Sequence, residues 1–307
     1  MSKPILVVIV GPTAVGKTSL SIELARKFET EIVSADSRQF YREMQIGTAK
    51  PTAIELDAAP HHLVNNLSVR DDYSVGHFEQ DALRSISTIF SKKEIAIMVG
   101  GSGMYVDAVC NGLDDFPEID PKYRENIKKE FEKKGISFLQ EEVEKEDPEY
   151  FNIVDRQNPQ RLMRALEVIY ATGRTFSSFR VKKTVDRPFQ VLKIGLEMER
   201  PLVYERIDQR MDLMIEEGLF EEAKRLYPLK HLNALQTVGY QEIFGFLDGH
   251  YDKEEAIRLL KRNSRRYAKR QLTWFKRDEN THWFAPSQLA EIKKLIEQKL
   301  ESFKAEN

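Results

Sequence analysis

A single cysteine, Cys110, in 307 residues leaves no intrachain disulfide framework and no zinc site built from several thiolates. That usage fits a reducing compartment, so a cytoplasmic location is expected. Charge of one sign is also lacking. With 47 Lys and Arg against 49 Asp and Glu, the formal net charge of -2 gives no global pull toward a polyanion, and any such surface has to be local. Long apolar runs are missing too: the first, Ile5 to Val10, is cut by Gly11 and Pro12 far short of a membrane span or a complete signal peptide. No membrane partner is therefore expected. No internal repeat or low-complexity tract occurs. What is present is an ordinary core-forming mixture, 41% hydrophobic and 31% charged, long enough for a main domain with a smaller insertion.

The β-branched run at 5–10 reads as a parallel strand covered on both faces. Leu20, Leu24, Ala25 and Phe28 then recur at helical spacing, residues 31–34 read as a second strand, and 95–99 as a third. Between them, 50–74 mixes Pro, Asp, Asn and paired histidines and is expected to be mostly loop. Strand, glycine-containing loop, helix and strand in this order predict an α/β fold with an open parallel sheet and flanking helices. From 121 to 148 the chain turns charged and helical in pattern, and Leu162, Ala165, Leu166 and Ile169 form a stripe before the strand-like 189–196. This divides the chain into a core at 1–111 and 188–307, with C-terminal helices, and a mostly helical insertion at 112–187. Met198 to Gly218 and Glu254 to Phe275 carry helical periodicity, and the polar end from Gln298 is expected to fray.

Residues 11–18, Gly11-Pro12-Thr13-Ala14-Val15-Gly16-Lys17-Thr18, fit G-x-x-x-x-G-K-[ST] at every fixed position, between a strand and a helix. Such a loop curls backbone N–H groups around an anion and points the positive end of the next helix at it. Lys17 adds a cation, and the Thr18 hydroxyl is a candidate ligand for Mg2+ already held by phosphates. The alternative is a tight turn with an incidental lysine. A phosphate grip alone leaves the reaction open: nucleotide hydrolysis, phosphoryl transfer, or departure of a diphosphate.

Asp36 ends the second strand, on the sheet edge that carries the glycine loop. It is a candidate to orient a nucleophile, take its proton or hold a metal, with Ser37, Arg38 and Gln39 supplying hydroxyl, cationic and amide groups. Helix capping is the plain alternative. Gly100-Gly101-Ser102-Gly103 closes the third strand on the same edge, where Ser102 is a candidate hydrogen-bond donor and a tight turn explains the glycines nearly as well. His61 and His62 read as loop histidines rather than metal ligands, and Asp71-Asp72 as a solvated turn. Arg258, Arg262, Arg265 and Lys269 share one face of the last long helical segment, in a stretch from 256 to 277 that lacks any acidic residue. With Arg270 they are candidates for nucleic-acid phosphates, and Trp274 or Phe275 for stacking on a base, against the bland account of a solvated helix with core aromatics. In the insertion, Gln157, Asn158, Pro159, Gln160 and Arg161 form a second polar cluster, part of which also reads as an N-cap followed by a first-turn proline.

Taken in order, these segments resemble the tRNA dimethylallyltransferase family over nearly the whole chain. The landmarks are the loop at 11–18, Asp-Ser-Arg-Gln-x-Tyr at 36–41, Gly-Gly-Ser-Gly-Met-Tyr at 100–105, Asp-Arg-Gln-Asn-Pro-Gln-Arg at 155–161, Val-Gly-Tyr at 238–240 and Lys-Arg-Gln-x-Thr-Trp-Phe at 269–275. The resemblance implies a sheet of the P-loop NTPase type and transfer of a dimethylallyl group from dimethylallyl diphosphate to N6 of the adenosine immediately 3' of the anticodon, in tRNAs reading codons that begin with U. It implies Mg2+ as cofactor and the tRNA anticodon stem-loop as partner, with the chain acting as a monomer. Asp36 would be the general base, Thr13 would lie between the reacting groups, and Lys17 would share catalysis. Residues 11–18 would hold the diphosphate, with Thr18 on the metal. Asp36, Ser37, Arg38, Gln39, Ser102, Gln157, Asn158, Pro159, Gln160, Arg161, Lys269 and Arg270 would meet the tRNA. Ser102 stands where the family usually has threonine, and Met104 where it has leucine; the hydroxyl survives the first change. A kinase acting through Asp36 and an NTP-driven RNA-binding switch are the rival readings.

Overall fold

The structure is a computed structural model, and it describes residues 3–181 and 185–305. Contacts divide the chain into two compact units, one reaching to Cys110 and resuming at Arg187, the other Asn111–Asp186. The first unit opens with β1 (Ile5–Val10), α1 (Lys17–Lys27), β2 (Ile32–Ser34), α2 (Ala53–Ala58), β3 (His61–His62), α3 (Val75–Phe90), β4 (Ile95–Val99) and α4 (Gly103–Asn111). The second contains α5 (Pro121–Lys134), α6 (Ile136–Glu146), α7 (Pro148–Phe151) and α8 (Pro159–Thr172). The first then resumes with β5 (Gln190–Leu196), α9 (Arg200–Glu216), α10 (Leu219–Leu226), α11 (Gln241–Leu247), α12 (Lys253–Phe275), β6 (His282–Phe284) and α13 (Leu289–Ala305). Among the described residues no helix is long and apolar enough to cross a membrane.

The six strands pair in the order β3-β2-β4-β1-β5-β6, and every pair is parallel. β1 is buried along its whole length because helices cover both faces, which is why it reads as an unbroken apolar run rather than an alternation. Its side chains still divide by the period of two. Leu6, Val8 and Val10 join Ala96, Met98 and the α3 residues Phe78, Ala82, Ile86 and Ile89 on one face. Ile5, Val7 and Ile9 join Leu20 and Leu24 of α1 and Ile292 and Ile296 of α13 on the other. A third core gathers α9 to α12 around Tyr240, which is fully buried. The helical unit has its own core, in which Leu139, Leu162, Ala165 and Leu166 are fully buried.

Several local expectations change. The 50–74 stretch is mostly loop, as expected, but it carries two short elements: Thr52 and Glu55 form a reciprocal capping box that starts α2, and His61 and His62 pair with Ile32 and Val33 as an edge strand rather than lying in a loop. That strand is made by tertiary pairing, which two histidines do not announce. β6 likewise depends on pairing with Ile194, Gly195 and Leu196. The expected fraying from Gln298 does not occur within the described part, since α13 runs to Ala305; residues 306 and 307, like 1, 2 and 182–184, lie outside the described residues. Cys110 is buried in the core beside α3, and burial pushes its thiol up to about 12.

Candidate active site

Because all strands are parallel, the loops that follow them open on one edge, and β1 sits at the switch point between crossovers to either side. The 11–18 loop leaves β1 there. Gly11 has φ 145°, and a Cβ on it would meet the Leu196 carbonyl oxygen at 2.5 Å, so only glycine lets the loop turn away this close to β5. Lys17 opens α1 and folds its ammonium back onto the loop, donating to the carbonyls of Gly11 at 3.0 Å and Pro12 at 2.8 Å. Burial lowers its pKa to about 8, with Asp36 opposing that shift and Arg210 adding to it.

Asp36 follows β2. One carboxylate oxygen accepts the Arg38 backbone N–H at 3.0 Å, which fixes the turn and leaves the rest of the group toward the cavities. Ser102, in the loop after β4, ties the two loops together: its hydroxyl accepts from the Ser37 N–H at 3.0 Å and donates to the Ser37 hydroxyl at 3.1 Å. Gln39 turns out to be largely internal, its amide donating to the carbonyls of Thr48 at 3.3 Å and Ala49 at 3.1 Å. The 45–47 backbone is held by Glu222, a buried carboxylate that accepts the N–H groups of Gln45, Ile46 and Gly47 and, at 2.7 Å, the Tyr240 hydroxyl. That contact accounts for the Val-Gly-Tyr motif.

Two cavities open on this edge. One, of about 230 Å³, is lined by Thr13, Lys17, Thr18, Asp36, His61 and Arg210, among others. The other, of about 220 Å³, is lined by Asp36, Ser37, Arg38, Thr237, Tyr267 and the apolar Met211 and Met214. Thr48, whose hydroxyl donates to the Met44 carbonyl, and Ala49 line both, as do the side chains of Thr13, Asp36 and Arg210. Those three side chains therefore stand where a group in one cavity would face a group in the other.

Arg210 was not a sequence candidate. It lies on α9 and was hidden among that helix's charges, yet its guanidinium donates to the Thr13 hydroxyl at 2.5 Å. Its Nε and the Nε2 of His61 are the buried side-chain nitrogens left without a hydrogen-bond partner among the described residues. His61 Nδ1 donates to the Ala59 carbonyl at 2.7 Å, so Nε2 carries a bare lone pair, and burial lowers the ring's pKa. An orphaned cationic donor and an orphaned acceptor thus belong to residues lining one cavity, where water or a polar ligand would satisfy them. Burial also pushes the Tyr267 hydroxyl up to about 12, so it stays protonated beside Asp36.

The basic face of α12 is smaller than the sequence suggests. Arg258 pairs with Glu255 one turn earlier on α12 itself, and Lys261 pairs with Asp212 and Arg265 with Asp208, because α9 lays those two acids alongside. Arg266, Lys269 and Arg270 remain exposed. Neither aromatic is available to stack on a base. Phe275 is in the core, and Trp274 packs where a Cβ on Gly103 would be, at 2.3 Å, while donating its indole N–H to Asp107 at 2.9 Å. In the helical unit the N-cap reading holds for Asn158, which accepts the Arg161 N–H at 3.2 Å with Pro159 at the first turn. Gln160 accepts from Arg124, whereas Gln157 and Arg161 are exposed. Asp71 accepts the Ser68 N–H at 2.7 Å, a turn as expected.

Strand-edge loops that gather a cationic cradle, a carboxylate and paired cavities define a group-transfer enzyme with an anionic donor. A family model described as IPP transferase matches residues 39–278, a span that begins just after the glycine loop and Asp36. The tRNA dimethylallyltransferase of Christiangramia forsetii is 54% identical over 279 residues, 91% of this chain and 92% of that protein. The crystal structure of the full-length tRNA isopentenylpyrophosphate transferase from Bacillus halodurans, 40% identical, superposes with a TM-score of 0.74 over 99% of each chain. That of a tRNA isopentenylpyrophosphate transferase from Staphylococcus epidermidis, 36% identical, gives 0.70 over 97% of this chain and 100% of the other. The chain belongs to the IPP transferase family.

Proposed function

We propose that the protein transfers a dimethylallyl group from dimethylallyl diphosphate to N6 of the adenosine immediately 3' of the anticodon in tRNAs reading codons that begin with U. The single observation that carries the assignment of roles is the meeting of two cavities at Asp36, Thr13 and Arg210. The glycine loop acts as a phosphate-binding loop of the P-loop NTPase type and holds the donor's diphosphate. The second cavity takes an adenine swung out of the anticodon-loop stack.

In the transfer, the bond between the donor's allylic carbon and its diphosphate oxygen breaks, and a bond from adenine N6 to that carbon forms. One N6 proton passes to the Asp36 carboxylate, and diphosphate leaves with the electron pair of the broken bond. Adenine N6 is a weak nucleophile because its lone pair is delocalised, so alignment and proton removal both lower the barrier. Lys17, the loop N–H groups and Arg210 face the charge that gathers on the leaving group. The Thr13 hydroxyl, held by Arg210, sits between the two reactants.

The residues fit Mg2+ of the kind bound mainly through phosphate oxygens and water. No cluster of three or more acidic, histidine or cysteine ligands exists among the described residues, while the Thr18 hydroxyl lines the donor cavity. Thr18 would hold the ion, which supplies charge neutralisation to the diphosphate. Ser37, Arg38, Ser102, Gln157, Arg161, Lys269 and Arg270 contact the anticodon stem-loop; Asn158, Pro159 and Gln160 shape the helix start that presents Gln157 and Arg161. With tRNA as its substrate, the enzyme works in the cytoplasm.

The test is incubation with dimethylallyl diphosphate, Mg2+ and unmodified tRNA, followed by mass spectrometry of the nucleosides. One prenylated adenosine next to the anticodon is expected, with no phosphoryl transfer when ATP replaces the donor. Prenylation confined to free nucleotides, or none at all, would overturn the assignment.

A further inference from the structure

α12 carries two faces at the same turns. Ser264, Ala268, Gln271 and Phe275 form its buried stripe, while Arg266, Lys269 and Arg270 point to solvent. A stripe at this spacing ordinarily stays apolar, and besides the small Ser264 it holds one long polar side chain, Gln271, at 6% exposure. Both ends of its amide are occupied. The oxygen accepts the Thr13 backbone N–H at 2.8 Å, and the nitrogen donates to the Gly101 carbonyl at 2.9 Å. One side chain therefore joins the loop after β1 to the loop after β4. The fit is close enough to dictate its neighbour, since a Cβ on Gly101 would lie 2.1 Å from the Gln271 nitrogen.

We propose that Gln271 is a positioning residue that couples the RNA-facing helix to the diphosphate loop, so that acceptor and donor bind cooperatively. The proposal rests on the functional reading above. Thr13 is a point of that loop which lines both cavities, and the Pro12–Thr13 peptide is held on one side by Lys17 of α1 and on the other from α12, by Gln271. The helix is continuous for 23 residues, so a small displacement of Lys269 and Arg270 by a bound RNA backbone is carried to Gln271 within the same turn. Because binding energies are linked, diphosphate in the loop must in return favour RNA on the helix by the same factor.

The test measures the affinity of the full-length protein for inorganic diphosphate with Mg2+, with and without an unmodified anticodon stem-loop RNA. At least about fivefold tighter diphosphate binding in the presence of RNA is expected for the wild-type protein. Gln271→Met keeps the side-chain length and removes both hydrogen bonds; it should abolish the enhancement while binding of RNA alone stays close to wild type, with the two orphaned backbone groups lowering the thermal midpoint by a few degrees. A merely structural role would instead weaken both ligands without touching their coupling, and that result would overturn the proposal. So would an undiminished enhancement in Gln271→Met, or none in the wild type. Should Gln271→Met fail to fold, Gln271→Leu likewise removes the acceptor for Thr13 and the donor to Gly101, and retention of the full enhancement there sinks the idea equally. Absence of prenylated adenosine from the wild-type reaction would strike the functional reading instead, and the coupling measurement separates the two.

Discussion

At the sheet edge, Thr13, Ser37, Ser102 and Gln271 satisfy one another or the backbone of neighbouring loops, and the two nitrogens left over, on His61 and Arg210, face a cavity. In the helical unit, by contrast, the polar cluster is a helix start. Asn158 caps it, Gln160 is engaged by Arg124, and Gln157 and Arg161 stand exposed on a platform fixed by the apolar stripe beneath. The difference separates two ways of building a functional surface. A preorganised site is sensitive to each hydrogen bond, because its groups lie in low dielectric and their partners are orphaned when one is removed. A surface set out by helix packing depends on its core and shares its contacts among exposed charges.

The largest expected effect tests the first kind. Asp36→Asn removes the proton acceptor at almost unchanged shape, and turnover should fall by roughly 10²–10⁴ in single-turnover assays with the thermal midpoint unchanged. Full activity would remove the base assignment. Next, Leu166→Ala in the helical core should cost about 2–5 kcal/mol of that unit's stability by denaturant unfolding. Diphosphate affinity should not change; a parallel loss would erase the contrast between the two regions.

A smaller effect follows from Lys17, whose pKa in the free fold is lowered to about 8. Between that value and its ordinary one near 10.4, the unfolded chain binds the proton and the folded chain does not, so this group makes the ligand-free protein more stable as pH rises through the window. In the proposed diphosphate complex binding runs the other way, because the ammonium form of Lys17 is the one that attracts the anion. Affinity should weaken by about tenfold per pH unit above about 8. Lys50, also lowered to about 8, adds to the stability trend, so the specific check is Lys17→Arg, which should flatten the affinity profile. The smallest effect belongs to the exposed surface. Removing both Lys269 and Arg270 should reduce the salt dependence of tRNA affinity by about two units of slope, at little cost to fold. An unchanged slope would place the RNA backbone elsewhere.

Much of this site could be read before folding. The 11–18 loop, Asp36, Ser102 and the strand of origin of each follow from local pattern, because a parallel sheet sends every such loop to one edge. Arg210 and Gln271 could not be read that way. Each is one polar residue on a long helix, and nothing in local spacing distinguishes an arginine that reaches Thr13 from one on a solvated face. The opposite error arises for the same reason. Arg265 looks like part of an RNA surface in sequence until α9 brings Asp208 against it, and Trp274 looks available until Gly103 makes room for it.

The sequence by itself determined the glycine loop between the first strand and helix, the carboxylate at the end of the second strand and the division into a sheet core and a helical unit, since these depend on short-range geometry: glycine where a turn is tight, apolar runs where strands are covered, periodic stripes where helices pack. Tertiary structure decided which charges are left for a ligand and which are neutralised, and which helix steers the loop. Those outcomes depend on partners distant in sequence, as with Thr13 and Gln271, and only the packed fold brings them within hydrogen-bond reach.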